Sequence, residues 1–296
     1  MNKVNKNRIG IYFWIFIAPA IVIYFTFSIL PFLYTFFYSF TDYTDMNPVN
    51  LSWVGLENYV TVMKNSLMRV GIQNSLIYAI LLTGFQVILG LPLAVLLDQK
   101  LKTQNLLRAI FFFPAVFSSL IIGYLWKYIL SSAESGLINS LIVSMGFSTV
   151  NFFSSKFALY SIIFTQIWQW TGWAMVIFLA NLQSVPLELM EAAQLDGAGS
   201  IKRFFSITLP LMCPSVKIVV VTGLIGGMKV FDAIYSMTGG GPGNATQTVM
   251  TIMMDKGISD GFYSVGAAFG VCFFVVVLIL SAVVNKLMSK WSEAIG

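Results

Sequence analysis

Gln166, Trp168, Gln169, Trp170 and Trp173 crowd into one short stretch, and Asn181 follows further along the same apolar run. Indole faces can stack against the apolar C–H face of a sugar while Gln and Asn side chains bond its hydroxyls, a mode of recognition that needs no fixed ligand charge. Helical spacing puts Gln166, Trp170 and Trp173 on one face and turns Trp168 away, so the three indoles cannot all line one path. Trp170 and Trp173 equally suit a membrane-interface belt or packing against a second chain. Lys229 and Asp232, three residues apart near the end of another apolar run, can share a helix face and reduce each other's desolvation cost. They can line a path or form an ion pair that fixes helices, and Lys127 carries the same two readings.

A second kind of chemistry lies in a polar island between apolar runs, residues 181–213. Pro186 punctuates its start, and Leu187 to Leu195 can form a short helix with Glu188 and Glu191 on its polar side. Gly197 permits a tight bend, Asp196 can stabilise it through backbone bonds, and Ser200 to Thr208 can make a second short helix that Leu209-Pro210 ends. Small Ala192, Ala193 and Ala198 allow close approach to a groove, while the glutamates offer charge-assisted bonds to a basic partner. A plain connector between two helices is the simpler reading.

Catalysis finds little support. Histidine is absent, which removes the commonest neutral metal ligand, and no metal site is expected. Cys213 and Cys272 lie in or beside apolar runs and describe no disulfide framework. There is no G-x-x-x-x-G-K-[ST] phosphate loop, and the glycine-rich Thr238 to Gly243 segment lacks the lysine and following helix of a phosphate cradle, so it reads as a tight structural turn.

The elements that must position these residues are apolar. The chain of 296 residues is 57% hydrophobic and 10% charged, with 26 Phe and a mean hydropathy of +0.82. Six runs, Ile11 to Phe40, Ile72 to Leu97, Leu107 to Leu130, Leu159 to Ala180, Pro214 to Ile234 and Tyr263 to Val284, are each long enough to cross a hydrocarbon core of roughly 30 Å. The predicted fold class is therefore an all-α integral membrane protein with six transmembrane helices and a cytoplasmic helix-turn-helix loop between spans four and five. The first run is too long for the h-region of a removable signal peptide and is expected to stay.

Basic residues set the expected orientation. Lys3, Lys6, Arg8, Lys100, Lys102, Arg108, Lys202, Arg203, Lys286 and Lys290 fall on one side, against Lys64, Arg69, Lys156 and Lys256 on the other. This places both termini and the Glu191 segment in the cytoplasm, and it explains the net charge of +5 without nucleic acid. The expected division is a cytoplasmic tail at 1–10, a six-span domain at 11–284 that includes the 181–213 loop, and a cytoplasmic tail at 285–296. The connections Thr41 to Arg69, with Trp53 and Tyr59, and Ser131 to Lys156, with Ser135-Gly136, are expected to carry short surface helices that either receive a partner or pack at the interface. No tandem repeat and no charged filter support a two-halved secondary transporter or a channel. Gly223 with Gly227 and Gly266 with Gly270 have GxxxG spacing, which serves internal packing as readily as a contact between chains.

Glu191-Ala192-Ala193, Asp196-Gly197-Ala198, Phe204, Ile207 and Leu209-Pro210 resemble the cytoplasmic loop of binding-protein-dependent ABC importer permeases. The Lys229-Val230-Phe231-Asp232, Thr238-Gly239-Gly240-Gly241-Pro242-Gly243 and Thr246 pattern is similar to the carbohydrate-uptake branch, whose permeases pair with a second, different permease. The resemblance implies a bacterial or archaeal plasma membrane, an extracellular substrate-binding protein, two cytoplasmic ATPase subunits holding ATP and Mg, no cofactor on this chain, and a sugar or oligosaccharide cargo in contact with lipid-embedded helices. It implies ATPase coupling for Glu188, Glu191, Ala192, Ala193, Asp196, Gly197, Ala198, Leu209 and Pro210. A similar permease for amino acids, peptides or another small solute, and a non-transporting membrane scaffold, are the alternatives.

Overall fold

The computed structural model describes residues 6–44, 46, 51–99, 101–133 and 136–295, all helical or irregular apart from isolated bridges. Lys3, Lys100 and Ser135 lie outside the described residues, as do the side chains of Lys6 and Arg8. In chain order the helices are α1 (Lys6–Tyr24), α2 (Leu30–Tyr38), α3 (Glu57–Lys64), α4 (Ser66–Asp98), α5 (Gln104–Phe112), α6 (Ser119–Ile129), α7 (Leu137–Ser144), α8 (Ala158–Leu182), α9 (Leu187–Leu195), α10 (Ser200–Arg203), α11 (Leu209–Leu211), α12 (Cys213–Met228), α13 (Asp232–Met237), α14 (Val249–Ile252) and α15 (Tyr263–Ile295). The short helices expected in the two long connections are α3 and α7.

Four helical runs among the described residues are long and apolar enough to cross a membrane: Phe13–Tyr38, Ser66–Asp98, Ala158–Leu182 and Tyr263–Trp291. Two more are bent pairs, Gln104–Val116 with Ser119–Ile129 at 97° and Ser200–Leu211 with Cys213–Met228 at 64°, so the number reaches six only if each pair crosses as one. The first bend follows from Pro114 in a tight 3₁₀ turn and from Phe117 and Ser118, which are extended; the Ser118 hydroxyl then caps α6 by accepting from the Leu120 amide. The expected run Leu107 to Leu130 is thus one apolar segment but two helices.

Two further expectations are corrected. Leu209-Pro210 does not end the second short helix of the loop: a π-helical turn at Phe204–Thr208 leads into α11, where Pro210 occupies the first turn and needs no amide partner. Lys229 and Asp232 do not share a helix face. Helix α12 stops at Met228, Lys229 caps it, and a new helix begins at Asp232 after an irregular Phe231 with φ −133° and ψ −59°.

The chain divides into two compact units. In one, formed by Met1–Asn65 and Met253–Phe274, the chain leaves the Phe13–Tyr38 run into an aromatic knot in which Tyr43 stacks on both Tyr38 and Tyr263, and Phe40 on Trp53. Asn58 donates to the carbonyls of Ser39 and Thr41, which fixes the turn below it. Gly266 lies so close to Gly257 that neither tolerates a Cβ without backbone movement.

In the other unit, Ser66–Ile252 with Val275–Gly296, α4 packs along α8 and α12. One buried cluster gathers Leu91, Ala94, Ala174, Phe178, Met212 and Val219, with Trp291 from the end of α15 packed against it. A second joins Tyr78, Leu82, Ile162, Val230, Ile234 and Met237. The helices come this close because small residues meet at the crossings. A Cβ on Gly227 would sit 2.6 Å from Ala79 Cα, and one on Gly223 would sit 2.7 Å from Thr83 Oγ1. Both GxxxG pairs therefore face neighbours within their own unit.

Gly227→Ala must push α12 off α4, at about 1–3 kcal/mol, whereas a Cβ on neighbouring Gly226 meets nothing within 4 Å. Thermal unfolding in detergent is expected to show Gly227→Ala lowered by at least about 3 °C, with Gly226→Ala at or above the native midpoint. Equal midpoints for the two variants would contradict this packing.

Candidate functional site

Helices α4, α8 and α12 and the break after α12 line a half-open cavity of about 320 Å³. Its wall includes Gln166, Trp170 and Trp173 from α8, Tyr78 and Gln86 from α4, and Lys229 and Asp232 from the break. The helical face expected to carry Gln166, Trp170 and Trp173 together does so. Trp168 points elsewhere: it stands edge-on to Trp126 at 5.5 Å and lines a separate, apolar cavity of about 870 Å³ beneath the α5–α6 bend.

The polar residues of α8 divide by task. Trp170 Nε1 donates to Gln166 Oε1 at 3.3 Å, Gln166 Nε2 to Gln169 Oε1 at 3.0 Å, and Gln169 Nε2 to the Phe117 carbonyl at 2.9 Å. This relay orients Gln166 and Trp170 on the cavity wall. Gln169 is fully buried, lies off that wall, and satisfies a carbonyl freed by the bend. Asn181 also lies off the wall, donating to Ser184 Oγ at 3.1 Å at the end of α8. Lys229 and Asp232 reach the cavity through the broken backbone rather than a common helix face. The break is stabilised by Thr248 Oγ1, which donates to the Val230 carbonyl at 3.1 Å.

Beyond the break, the Thr238 to Gly243 segment is a folded turn. Gly239, Gly240 and Gly243 have φ of 60°, 89° and 53°, and the Gly241–Pro242 bond is cis. Its amides are turned inward, Gly241 N to Thr238 O at 3.1 Å and Thr246 N to Gly240 O at 3.1 Å. The Thr238 and Thr246 hydroxyls share a bond of 2.7 Å, and Asn74 of α4 donates to the carbonyls of Ala245 and Gln247.

The segment between α8 and α12 is a second, separate feature. Helix α9 starts after Pro186 with Glu188 in its first turn and ends in a left-handed turn: Gly197 has φ +80°, and the Gly197 and Ala198 amides bond the carbonyls of Gln194 and Ala193. Asp196 caps α9 through its backbone. Arg203 ties the far side back, donating from Nη1 to Gln194 Oε1 at 2.9 Å. Glu188, Glu191, Ala192, Asp196 and Gly197 are exposed, Ala193 and Ala198 half-buried. Leu195, 90% exposed, Leu187, Ile201 and Phe205 stand out from this segment as apolar side chains in the open. The sequence reading did not single out Ile201, Phe205, Tyr78 or Gln86. The available signal for Gln86 was a carboxamide in the middle of an apolar run, between Thr83-Gly84-Phe85 and Val87-Ile88-Leu89.

The family model of the binding-protein-dependent transport system inner membrane component matches residues 86–292. The chain belongs to that family of ABC transporter permeases. Among its relatives, the multiple sugar-binding transport system permease protein MsmF of Streptococcus mutans is 30% identical over 278 residues, covering 94% of this chain and 95% of that protein. The arabinooligosaccharides transport system permease protein AraP of Bacillus subtilis is 31% identical over 281 residues, covering 94% and 88%. A chain of the solved bacterial alginate ABC transporter, in complex with alginate pentasaccharide-bound periplasmic protein, superposes with a TM-score of 0.84 at 21% identity over 99% of both chains, which establishes the shared fold.

A side chain at Gly197 must hold a left-handed backbone at a cost of about 1 kcal/mol. Gly197→Ala is expected to fold normally yet to be cut by trypsin at Lys202 and Arg203 roughly fivefold faster, because the turn opens more often. An unchanged cleavage rate would show that the turn is not held by this geometry.

Proposed function

We propose that this chain is one of two different permease subunits of an ATP-driven, binding-protein-dependent importer of sugars, oligosaccharides in particular, and that it works by alternating access. The observation that carries the proposal is the cavity wall: indoles of Trp170 and Trp173 beside the carboxamide of Gln166, in a helical bundle of the importer permease family. Flat apolar faces next to amides suit a polyhydroxylated ring, and the relatives named for multiple sugars and arabinooligosaccharides favour the same cargo class.

On this reading both bent pairs cross the membrane as single spans, giving six within 11–284, with tails at 1–10 and 285–296 in the cytoplasm. The 181–213 loop then faces the cytoplasm as a helix-turn-helix that docks in a groove of a separate ATPase. Glu188 and Glu191 meet basic residues there, Ala192, Ala193 and Ala198 pack closely, Asp196 and Gly197 make the turn, and Leu209-Pro210 leads the motion into α12. The exposed Leu195 and Ile201 supply the apolar part of that surface. Two such ATPases bind ATP and Mg and close; an extracellular binding protein delivers the cargo; this chain performs no chemistry. Trp168, Gln169 and Asn181 support the path without lining this cavity, while Gln166, Trp170, Trp173, Lys229 and Asp232 contact the passing ligand.

The opposite charges of Lys229 and Asp232 on the same wall favour one second reading, a zwitterionic amino acid or short peptide as cargo.

ATP-dependent uptake of labelled mono- and oligosaccharides, amino acids and peptides by the complete importer, with and without this chain, tests the proposal. Chain-dependent saccharide uptake is expected; uptake confined to amino acids or peptides would transfer the proposal to the second reading, and no dependence would leave a scaffold. Within the same assay Trp170→Ala is expected to reduce the maximal rate at least about tenfold, corresponding to roughly 1.4 kcal/mol of stacking, and Trp168→Ala to reduce it less than threefold. The reverse order would remove the stacking role. Gly197→Trp is expected to abolish most co-purification of the ATPase while leaving membrane insertion intact; unchanged co-purification would sink the docking role of the turn.

A further inference from the structure

We propose that Gln86 on α4 is a specificity-determining contact, its Oε1 accepting a hydroxyl of the cargo; the assignment rests on the saccharide reading above. Gln86 lines the cavity, is 3% exposed, and its Oε1 has no hydrogen-bond partner. One turn earlier Thr83, 4% exposed, has an equally unpartnered Oγ1. Both oxygens face Gly223 of α12, which also lines the cavity and where a Cβ would come within 2.7 Å of Thr83 Oγ1 and 2.9 Å of Gln86 Oε1. Glycine at that position lets α12 approach the two oxygens without placing a side chain over them.

A buried acceptor without a donor lowers stability, and a leucine or methionine of similar volume would carry no such penalty. Carboxamides on a cavity wall are therefore informative when they are unused. Gln166 is not free in this sense: its Oε1 accepts from Trp170 and its Nε2 donates to Gln169. Gln86 holds the unused acceptor, on the same cavity wall as Trp170 and Trp173. A ligand hydroxyl arriving there gains a bond, and an analogue lacking that hydroxyl leaves the oxygen buried and unpaired, which is how a polar wall discriminates.

The test uses the complete importer reconstituted in vesicles with labelled maltose, trehalose and arabinotriose, followed by the singly deoxygenated analogues of whichever saccharide is transported fastest. Native protein is expected to prefer the parent over one analogue by roughly tenfold or more. Gln86→Leu is expected to assemble at native levels or better, to transport the parent about tenfold more slowly, and to transport that analogue at the native rate, so the preference disappears. Gln86→Met should behave like Gln86→Leu, and Gln86→Glu, which keeps an acceptor, should retain part of the preference; these two decide the matter if the leucine variant fails to assemble. A preference unchanged in Gln86→Met or Gln86→Leu, or parent and every analogue slowed by one common factor, would overturn the assignment while leaving saccharide transport intact. Absence of any chain-dependent saccharide uptake would overturn the saccharide reading, and this assignment with it.

Discussion

A backbone carbonyl or amide without a partner is far more costly in hydrocarbon than in water, so every break in an apolar helix calls for a partner for the groups it frees. Several of the breaks have a donor brought from elsewhere in the chain. Gln169 of α8 serves the Phe117 carbonyl at the α5–α6 bend, Thr248 serves Val230 where α12 stops, and Asn74 of α4 serves Ala245 and Gln247 beyond the glycine-rich turn. Gln104 and Arg108 both donate to the Leu97 carbonyl at the end of α4. Polar residues in and around the apolar helices are here first of all the means of ending a helix without leaving its carbonyls and amides unpaired.

The breaks in turn make the cavity. Were α12 continuous to Ile234, Lys229 and Asp232 would lie on its surface as an ordinary i, i+3 pair; the interruption turns both toward the space between α4 and α8. Close approach of α12 to α4 through Gly223 and Gly227 keeps that space narrow. At the other end of α12, the π-helical turn and α11 join it, across a 64° bend, to the short helices of the loop, which links the loop to the wall carrying the glycines. Helix packing is discrete rather than elastic, which suits switching between two arrangements.

Much of this was legible in the sequence. The apolar runs, the common face of Gln166, Trp170 and Trp173, the diverging Trp168 and the Gly197 turn all follow from periodicity and backbone preference. Three things were not. Residues 113–118 hold Pro114 and residues 229–231 hold Lys229, but what stabilises their irregular backbone is a donor distant in the chain, so local composition does not by itself show where a continuous apolar run divides into two helices. Pro210 looked like a terminator because proline ends helices from within, whereas at a helix start it is neutral. Gln169 and Gln86 are the same residue type in similar apolar runs, and only the fold separates the one that satisfies a carbonyl from the one left with an unused oxygen.

The proposed alternating access makes one demand above all, that the α4–α8–α12 cavity open to opposite sides of the membrane in different nucleotide states. Gly226 lines the cavity and has room for a side chain, so Gly226→Cys, with Cys213 and Cys272 replaced, is a suitable reporter. In the complete importer, a membrane-impermeant maleimide is expected to label it from outside in one state, ATP-bound or nucleotide-free, and from inside in the other. Labelling from the same side in both states, or from neither side in either, would contradict a transport path through this cavity.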